Sequence, residues 1–232
     1  MAGNDRRAAG STPARLQEIY DRLLSAFGPR GWWPGDTPFE VMVGAVLTQN
    51  TAWTNVEKAI ANLKAAGLLT PHGLDRLALS DLAGLIKPSG YFNIKAARLK
   101  NLVALVVEAG GGDPPRLLER PADRLRQDLL AVKGVGPETA DSILLYAAGR
   151  PVFVIDAYTR RILSRHGLAN GDETYDRLQA LFMDNLPPEA ECFNEYHALL
   201  VHLGKHFCKP KPLCPGCPLE GLDQPGGNIS RS

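Results

Sequence analysis

Apolar residues recur at helical spacing through most of the chain. Near the N-terminus, for example, Leu16, Ile19 and Leu23 fall on one helical face. The same spacing predicts helices over residues 13–27, 39–47, 54–66, 82–86, 93–109, 123–132, 138–148, 157–166, 172–185 and 192–207. The only run typical of a strand is 152–155, which is too short to found a sheet. The predicted fold class is therefore all-α.

A glycine turn joins two of these helices in the segment LLAVKGVGPETADSILLYAAG, residues 129–149. Gly134 and Gly136 allow the backbone to reverse tightly and to approach another chain closely. Pro137 suits the first position of the following helix, where exposed N–H groups bind phosphate. A plain helix–helix linker could also contain GxG, but the apolar residues on both sides favour a helix-hairpin-helix element.

The net charge of the chain does not indicate nucleic-acid binding, but a few lysines are placed where they could contact phosphate. Of 232 residues, 26 are Lys or Arg and 25 are Asp or Glu, which leaves a net charge of +1. This balance excludes a basic tail protein, so any phosphate-binding surface must come from locally placed cations. The local cations near the glycine turn and near the C-terminus are Lys133, Lys205, Lys209 and Lys211.

No window approaches the ~18 consecutive apolar residues of a membrane helix. The charged N-terminus is not followed by the apolar run of a signal peptide or anchor. We therefore expect a cytoplasmic protein with no membrane partner.

Three of the four cysteines lie close together, in the pattern Cys208-x5-Cys214-x2-Cys217. Such spacing indicates a zinc or iron–sulfur site rather than disulfides. If residues 192–207 are helical, Cys192 lies ~24 Å along the helix axis from Cys208 and cannot share one site. The cysteines alone therefore leave this site one ligand short.

The hairpin and the residues after it resemble a known signature. LLAVKGVGPETADSILLYAAGRPVFVIDAYTRRIL resembles the helix-hairpin-helix plus Gly/Pro…Asp motif of the endonuclease III superfamily of DNA glycosylases. The resemblance extends from about residue 39 to residue 217, and includes PFEVMVGAVLTQNTAW and GYFNIKAARLKNL. It implies a monomeric base excision repair enzyme that acts on double-stranded DNA and associates with the nucleoid.

The resemblance also implies two helical domains with a DNA-binding cleft between them. The central domain would cover residues 37–151 and carry the hairpin at about 123–148. The second would combine residues 12–36 with 152–217, and both chain ends, 1–11 and 221–232, are predicted to be flexible tails.

Asp156 ends an apolar run and precedes the helix AYTRRIL. By itself this is an ordinary N-cap position. By resemblance Asp156 is the catalytic residue. A fixed carboxylate there stabilises positive charge that develops on the sugar and activates the attacking water.

Glu138 occupies the position where bifunctional members of the superfamily carry a lysine. That lysine attacks the sugar and forms a Schiff base, which glutamate cannot do. The resemblance therefore favours a monofunctional glycosylase. The alternatives are a bifunctional glycosylase and AP lyase acting on oxidised pyrimidines, and a damaged-DNA-binding protein without catalysis.

The three tryptophans, Trp32, Trp33 and Trp53, are candidates for a base pocket, although core packing would account for any one of them equally well. GWWP, LTQNTAW and the hairpin glutamate are together similar to 3-methyladenine DNA glycosylase III. This similarity implies an alkylated-purine pocket with Glu138 at its edge, since a cationic base stacks well on indole.

Two further predictions follow from the resemblance to the superfamily. An amide side chain after the second helix fills the space of the flipped base, and Gln49 and Asn50 are the candidates for this wedge. The superfamily also binds a [4Fe–4S] cluster through four cysteines. Here the first cysteine gap is one residue shorter and Asp223 stands at the fourth position. The alternatives are a cluster completed by Asp223 or by an exogenous ligand, a zinc ion, or a loop that binds no metal.

Overall fold

A computed structural model describes residues 11–222, and in this range the chain is all-helical and contains no strand. The predicted fold class is therefore confirmed. The helices are α1 Thr12–Phe27, α2 Pro38–Leu47, α3 Trp53–Ala65, α4 Pro71–Arg76, α5 Leu79–Leu85, α6 Phe92–Gly110, α7 Pro114–Leu118, α8 Ala122–Leu130, α9 Pro137–Ser142, α10 Ala157–Arg165, α11 Tyr175–Met183 and α12 Ala190–His206. A 3-10 turn covers Lys87–Ser89, and a π-helical stretch, Ile143–Ala147, continues α9.

Two short helices, α4 and α7, were missed by the sequence pattern. Each begins with a proline and has fewer than two turns, so its apolar residues cannot show a helical period. The Thr70 side chain caps α4 by accepting a hydrogen bond from the Gly73 N–H. Among the described residues, no helix is both long and apolar enough to span a bilayer.

The described residues form two compact units. One unit takes its residues from Met1–Trp32 and Ile155–Ser232, and the other from Trp33–Val154. The predicted tail at 1–11 lies outside the described residues except for Ser11, and the tail at 221–232 lies outside them except for Gly221 and Leu222.

The second unit is built around α2, in which every residue after Pro38 is buried. A helix that is apolar on all sides is buried on all sides, and α2 is packed against α3, α6 and the π-helical stretch. The Thr37 side chain caps α2 by accepting from the Glu40 N–H. The hairpin helices α8 and α9 are tied together by Arg126, which donates two hydrogen bonds to the fully buried Asp141 carboxylate, at 2.7 and 3.1 Å.

The first unit contains α1, α10, α11 and α12. The Tyr196 hydroxyl of α12 donates to the Leu16 carbonyl of α1 at 2.8 Å. Helices α10 and α12 pack closely because Gly204 has no side chain: a Cβ there would overlap the Tyr158 ring. This close approach brings the start of α10 beside the middle of α12.

Candidate active site

Asp156 is the N-cap of α10. Its Oδ1 accepts a hydrogen bond from the Thr159 N–H at 2.7 Å, and its side chain is 13% exposed. The second carboxylate oxygen, Oδ2, faces the Nε2 of buried His197 in α12 at 3.7 Å. The cap expected from the sequence is present, and the carboxylate is held from two helices.

The surroundings of Asp156 favour its anion. Burial alone would raise the pKa of this carboxyl, but His197 and the Thr159 N–H outweigh burial and hold the pKa below its ordinary value. A carboxylate in this setting is ionised at neutral pH and has a fixed orientation. It can therefore stabilise a nearby positive charge or accept a proton from water.

The glycine turn has the conformation that the sequence requires of it. Gly134 has φ +98°, and a Cβ there would also overlap the Arg98 side chain of α6. Gly136 is exposed and is the N-cap of α9, with Pro137 in the first helical position. Lys133 is exposed, and its carbonyl accepts from Asn101 at 2.9 Å. The turn therefore presents a helix start and a lysine side chain to solvent.

The two wedge candidates have different surroundings. The amide nitrogen of Gln49 donates to the Gly134 carbonyl at 3.1 Å and to Thr139 Oγ1 at 3.0 Å, while its amide oxygen accepts from Arg98. Asn50 is exposed and has left-handed backbone geometry, φ 52°. Gln49 thus ties the LTQNT turn to the hairpin, whereas Asn50 projects its side chain from that turn.

The tryptophans are divided between the two units. Trp33 and Trp53 meet edge to face, with ring centroids 5.1 Å apart, and Tyr146 lies 5.1 Å from Trp33. The Trp33 indole also covers Gly44 of α2, so it is partly a core residue. The Trp53 Nε1 donates to Glu57 at 2.8 Å. Trp32 belongs to the other unit, where the Lys205 ammonium lies 6.0 Å from its ring centroid.

Glu138 is exposed in the first turn of α9, where an acidic side chain suits the helix dipole. The remaining phosphate candidates, Lys205 and Lys209, are exposed at and beyond the end of α12. The Lys209 carbonyl accepts from Arg165 at 2.6 Å, which fixes the start of the cysteine loop.

Cys208, Cys214 and Cys217 line one cavity of about 650 Å³. Cys208 is buried and its sulfur accepts from Arg165 at 3.3 Å, while Cys214 is exposed. Burial raises the pKa of Cys217, and the other two sulfurs add to this rise. Within residues 11–222 no three His, Cys, Asp or Glu side chains are arranged to hold a metal ion, and Asp223 lies outside the described residues. The described side chains therefore do not fit a four-ligand cluster.

Sequence reasoning missed His197, Tyr146 and Arg98. His197 carries no motif, and only the close packing of α10 on α12 places it beside Asp156. Tyr146 follows the hairpin within an apolar run, where it is typical of core packing. Arg98 lies in a predicted helix, and its contact with the glycine turn is long-range.

Comparison with known proteins finds similar DNA repair enzymes. A protein of Methanocaldococcus jannaschii named as a DNA repair glycosylase is 46% identical over 207 residues, which cover 88% of this chain and 94% of that protein. The solved structure of H. pylori 3-methyladenine DNA glycosylase bound to 1,N6-ethenoadenine has a TM-score of 0.70 at 30% identity, covering 84% and 98% of the two chains. A non-covalent endonuclease III–DNA complex has a TM-score of 0.78 at 26% identity, covering 92% and 95%.

The family model described as HhH-GPD superfamily base excision DNA repair protein matches residues 43–188, which include the hairpin and Asp156. The chain therefore belongs to the HhH-GPD superfamily of base excision DNA repair proteins.

Proposed function

We propose that this DNA repair glycosylase is monofunctional and removes alkylated purines from double-stranded DNA by hydrolysis, with Asp156 as the catalytic carboxylate. The observation that carries the proposal is the Asp156 site: an ionised carboxylate, fixed by the Thr159 N–H and facing His197.

Hydrolysis of an N-glycosidic bond develops positive charge on the sugar, as in glycoside hydrolysis. A preorganised anion stabilises that charge and can accept a proton from the attacking water. The bond to the base breaks, the base leaves with the bonding electron pair, and water supplies the hydroxyl on the sugar. An alkylated purine is already a good leaving group, so a single carboxylate suffices for this chemistry.

Glu138 supports water as the nucleophile. By resemblance, Glu138 occupies the position where bifunctional members of the superfamily carry a lysine. A carboxylate cannot form a Schiff base. The second candidate is an endonuclease III-type glycosylase and lyase, which the likeness to the endonuclease III complex favours. Glu138 argues against it, and Asp156 argues against a binding protein without catalysis.

The aromatic group of Trp33, Trp53 and Tyr146 supports an alkylated purine as the substrate. Flat, electron-rich rings attract a cationic base. The H. pylori relative was solved with 1,N6-ethenoadenine, a modified purine. We include Trp32 and Glu138 as further pocket residues on the strength of the resemblance.

DNA binding is assigned to backbone groups rather than to net charge. The exposed start of α9 at Gly136 is suited to phosphate, with Gly134, Lys133, Lys205 and Lys209 as additional contacts. We infer a monomer on duplex DNA and assign the wedge to Asn50, because Gln49 is already bonded to the hairpin.

The [4Fe–4S] cluster stays a prediction, which iron and sulfide analysis of anaerobically prepared protein tests.

The function is tested with four duplexes, which carry 3-methyladenine, 1,N6-ethenoadenine, an oxidised pyrimidine or an abasic site. We expect release of the alkylated bases only, with strand breaks only after alkali. Release of the oxidised pyrimidine with breaks before alkali establishes the second candidate. DNA binding without release of any base establishes the non-catalytic damaged-DNA-binding protein.

A further inference from the structure

Lys95 is a buried lysine that the proposed chemistry does not use. It lies in the first turns of α6 and is 1% exposed. Its ammonium donates to the Leu47 carbonyl at 2.7 Å, the Ser89 carbonyl at 2.7 Å and Thr51 Oγ1 at 2.6 Å. An ammonium has three N–H donors, so each of them has an acceptor.

The three acceptors belong to two separate turns. Leu47 and Thr51 flank the turn after α2, whereas Ser89 ends the 3-10 turn before α6. Thr51 closes the connection by donating its own hydroxyl to the Ser89 carbonyl at 2.5 Å. The buried Lys95 ammonium therefore connects the two turns through hydrogen bonds.

Both turns contain a residue with left-handed backbone geometry. Asn50 has φ 52° and Tyr91 has φ 46°, and these are the only non-glycine residues with positive φ among residues 11–222. Such geometry is unfavourable for a residue with a side chain and persists where surrounding contacts enforce it. Both side chains project outward, and Tyr91 is 69% exposed. The bonds of Lys95 hold Leu47 and Thr51, which flank Asn50, and Ser89, which lies two residues before Tyr91.

A buried ammonium is costly to desolvate, and the three hydrogen bonds of Lys95 offset this cost. Burial and the neighbouring Arg98 lower the pKa of Lys95 to about 8, so the ammonium is still protonated at neutral pH. By bonding to all three acceptors, the Lys95 ammonium fixes the distance between the turn after α2 and the turn before α6.

We propose that Lys95 is a positioning residue that holds the Asn50 turn in the geometry needed for insertion into duplex DNA. It acts through Asn50 and does not touch the substrate. The inference rests on the proposed function, because it assumes that Asn50 is the group that replaces the displaced base.

The test compares Lys95→Met with Lys100→Met. Lys100 lies further along the same helix and also bonds to carbonyls, those of Leu74 and Asp75, at 2.7 and 2.6 Å, but it reaches neither turn. Single-turnover excision of 1,N6-ethenoadenine is measured in a duplex, where the base must be displaced, and in a single strand, where little displacement is needed. Folding of each variant is checked by circular dichroism.

We expect Lys95→Met to lose at least about tenfold in duplex excision, since small misplacements cost this much, with little loss on the single strand. Lys100→Met should match the wild-type protein on both. Equal losses on the two substrates, or no loss on the duplex, overturn the inference. If Lys95→Met does not fold, Thr51→Val removes one acceptor and the link to Ser89, and the same duplex-only loss, smaller in size, is required.

A failure of the proposed function is visible separately. If the wild-type protein excises nothing, 2-aminopurine fluorescence beside an abasic-site analogue still reports insertion. A rise with the wild-type protein and with Lys100→Met that Lys95→Met lacks supports the role of Lys95. Equal signals from all three proteins, or no rise with the wild-type protein, overturn it.

Discussion

His197 Nε2 lies 3.7 Å from Asp156 Oδ2, although the two residues are far apart in the sequence. The histidine comes from α12 and the carboxylate from the N-cap of α10. Their proximity depends on Gly204, where any side chain would meet Tyr158. The ionisation of the Asp156 carboxylate therefore depends on how α10 and α12 pack.

Asp156→Asn should abolish most base excision while leaving the fold intact. Asparagine is as good an N-cap as aspartate, so the Thr159 N–H keeps its acceptor, but the negative charge and the proton acceptor are lost. Losing such a group costs about 10²–10⁴-fold in rate. Single-turnover excision and DNA affinity are measured together, with Asp184→Asn, an exposed acid of the same unit, as the control. Excision near the wild-type rate would remove Asp156 from the mechanism.

Replacing His197 should move the acid limb of the pH–rate profile to higher pH. In the wild-type protein, His197 and the Thr159 N–H offset burial and lower the pKa of Asp156. Without His197 only the Thr159 N–H opposes burial, so the pKa rises and the carboxyl protonates at higher pH. The same lowered pKa stabilises the fold above the ordinary carboxyl pKa, and this stabilisation is lost as pH falls through the lowered value. The His197→Ala protein should therefore have a lower unfolding free energy than the wild-type protein at neutral pH, and the difference between them should shrink as pH falls through the lowered value.

The matched control is His206→Ala, on the same helix but exposed. An unchanged acid limb in His197→Ala would show that His197 only fills space.

Borohydride should trap no covalent complex between the wild-type protein and a duplex with an abasic site. Glu138 supplies no amine, so no Schiff base can form at that position. Endonuclease III, treated in parallel, serves as the positive control. A trapped complex that disappears in Lys133→Ala would identify Lys133 as the amine and support the bifunctional candidate.

Trp53→Ala should weaken excision of cationic 3-methyladenine more than that of neutral 1,N6-ethenoadenine. A cation–π contact contributes about 0.5–2 kcal/mol, equivalent to roughly 2–30-fold in kcat/KM. Trp53→Phe, which retains a ring, should recover part of the loss. Equal losses on both bases would indicate packing rather than recognition. Trp33 is less informative because its ring also covers Gly44.

Gln49→Ala and Asn50→Gly should distinguish the structural role of Gln49 from the wedge role proposed for Asn50. Removing the Gln49 amide leaves the buried side of the hairpin without two hydrogen bonds, so the unfolding free energy should fall by about 1–3 kcal/mol. Glycine accepts the left-handed backbone of Asn50, so Asn50→Gly should keep its stability. It should nevertheless lose duplex excision. Thermal unfolding with the excision assay distinguishes them, and a stable Gln49→Ala that alone loses excision would reverse the assignment.

The amino-acid sequence by itself determined the helical fold class, the glycine turn and the cap at Asp156. These features depend on local periodicity and on residue types that suit turns and helix starts, so their signals lie within a few neighbouring residues. Helices α4 and α7 were not predicted because they are too short for their apolar residues to show a helical period.

Tertiary structure alone decided how the amides and charges are used. Gln49 and Asn50 are adjacent and chemically alike, yet one is bonded to a carbonyl 85 residues away and the other is exposed. The same holds for His197 at Asp156 and for Lys95 between two turns: each is set by helices that are distant in sequence and pack side by side. No local pattern encodes such contacts, because their free energy comes from partners that only folding brings together.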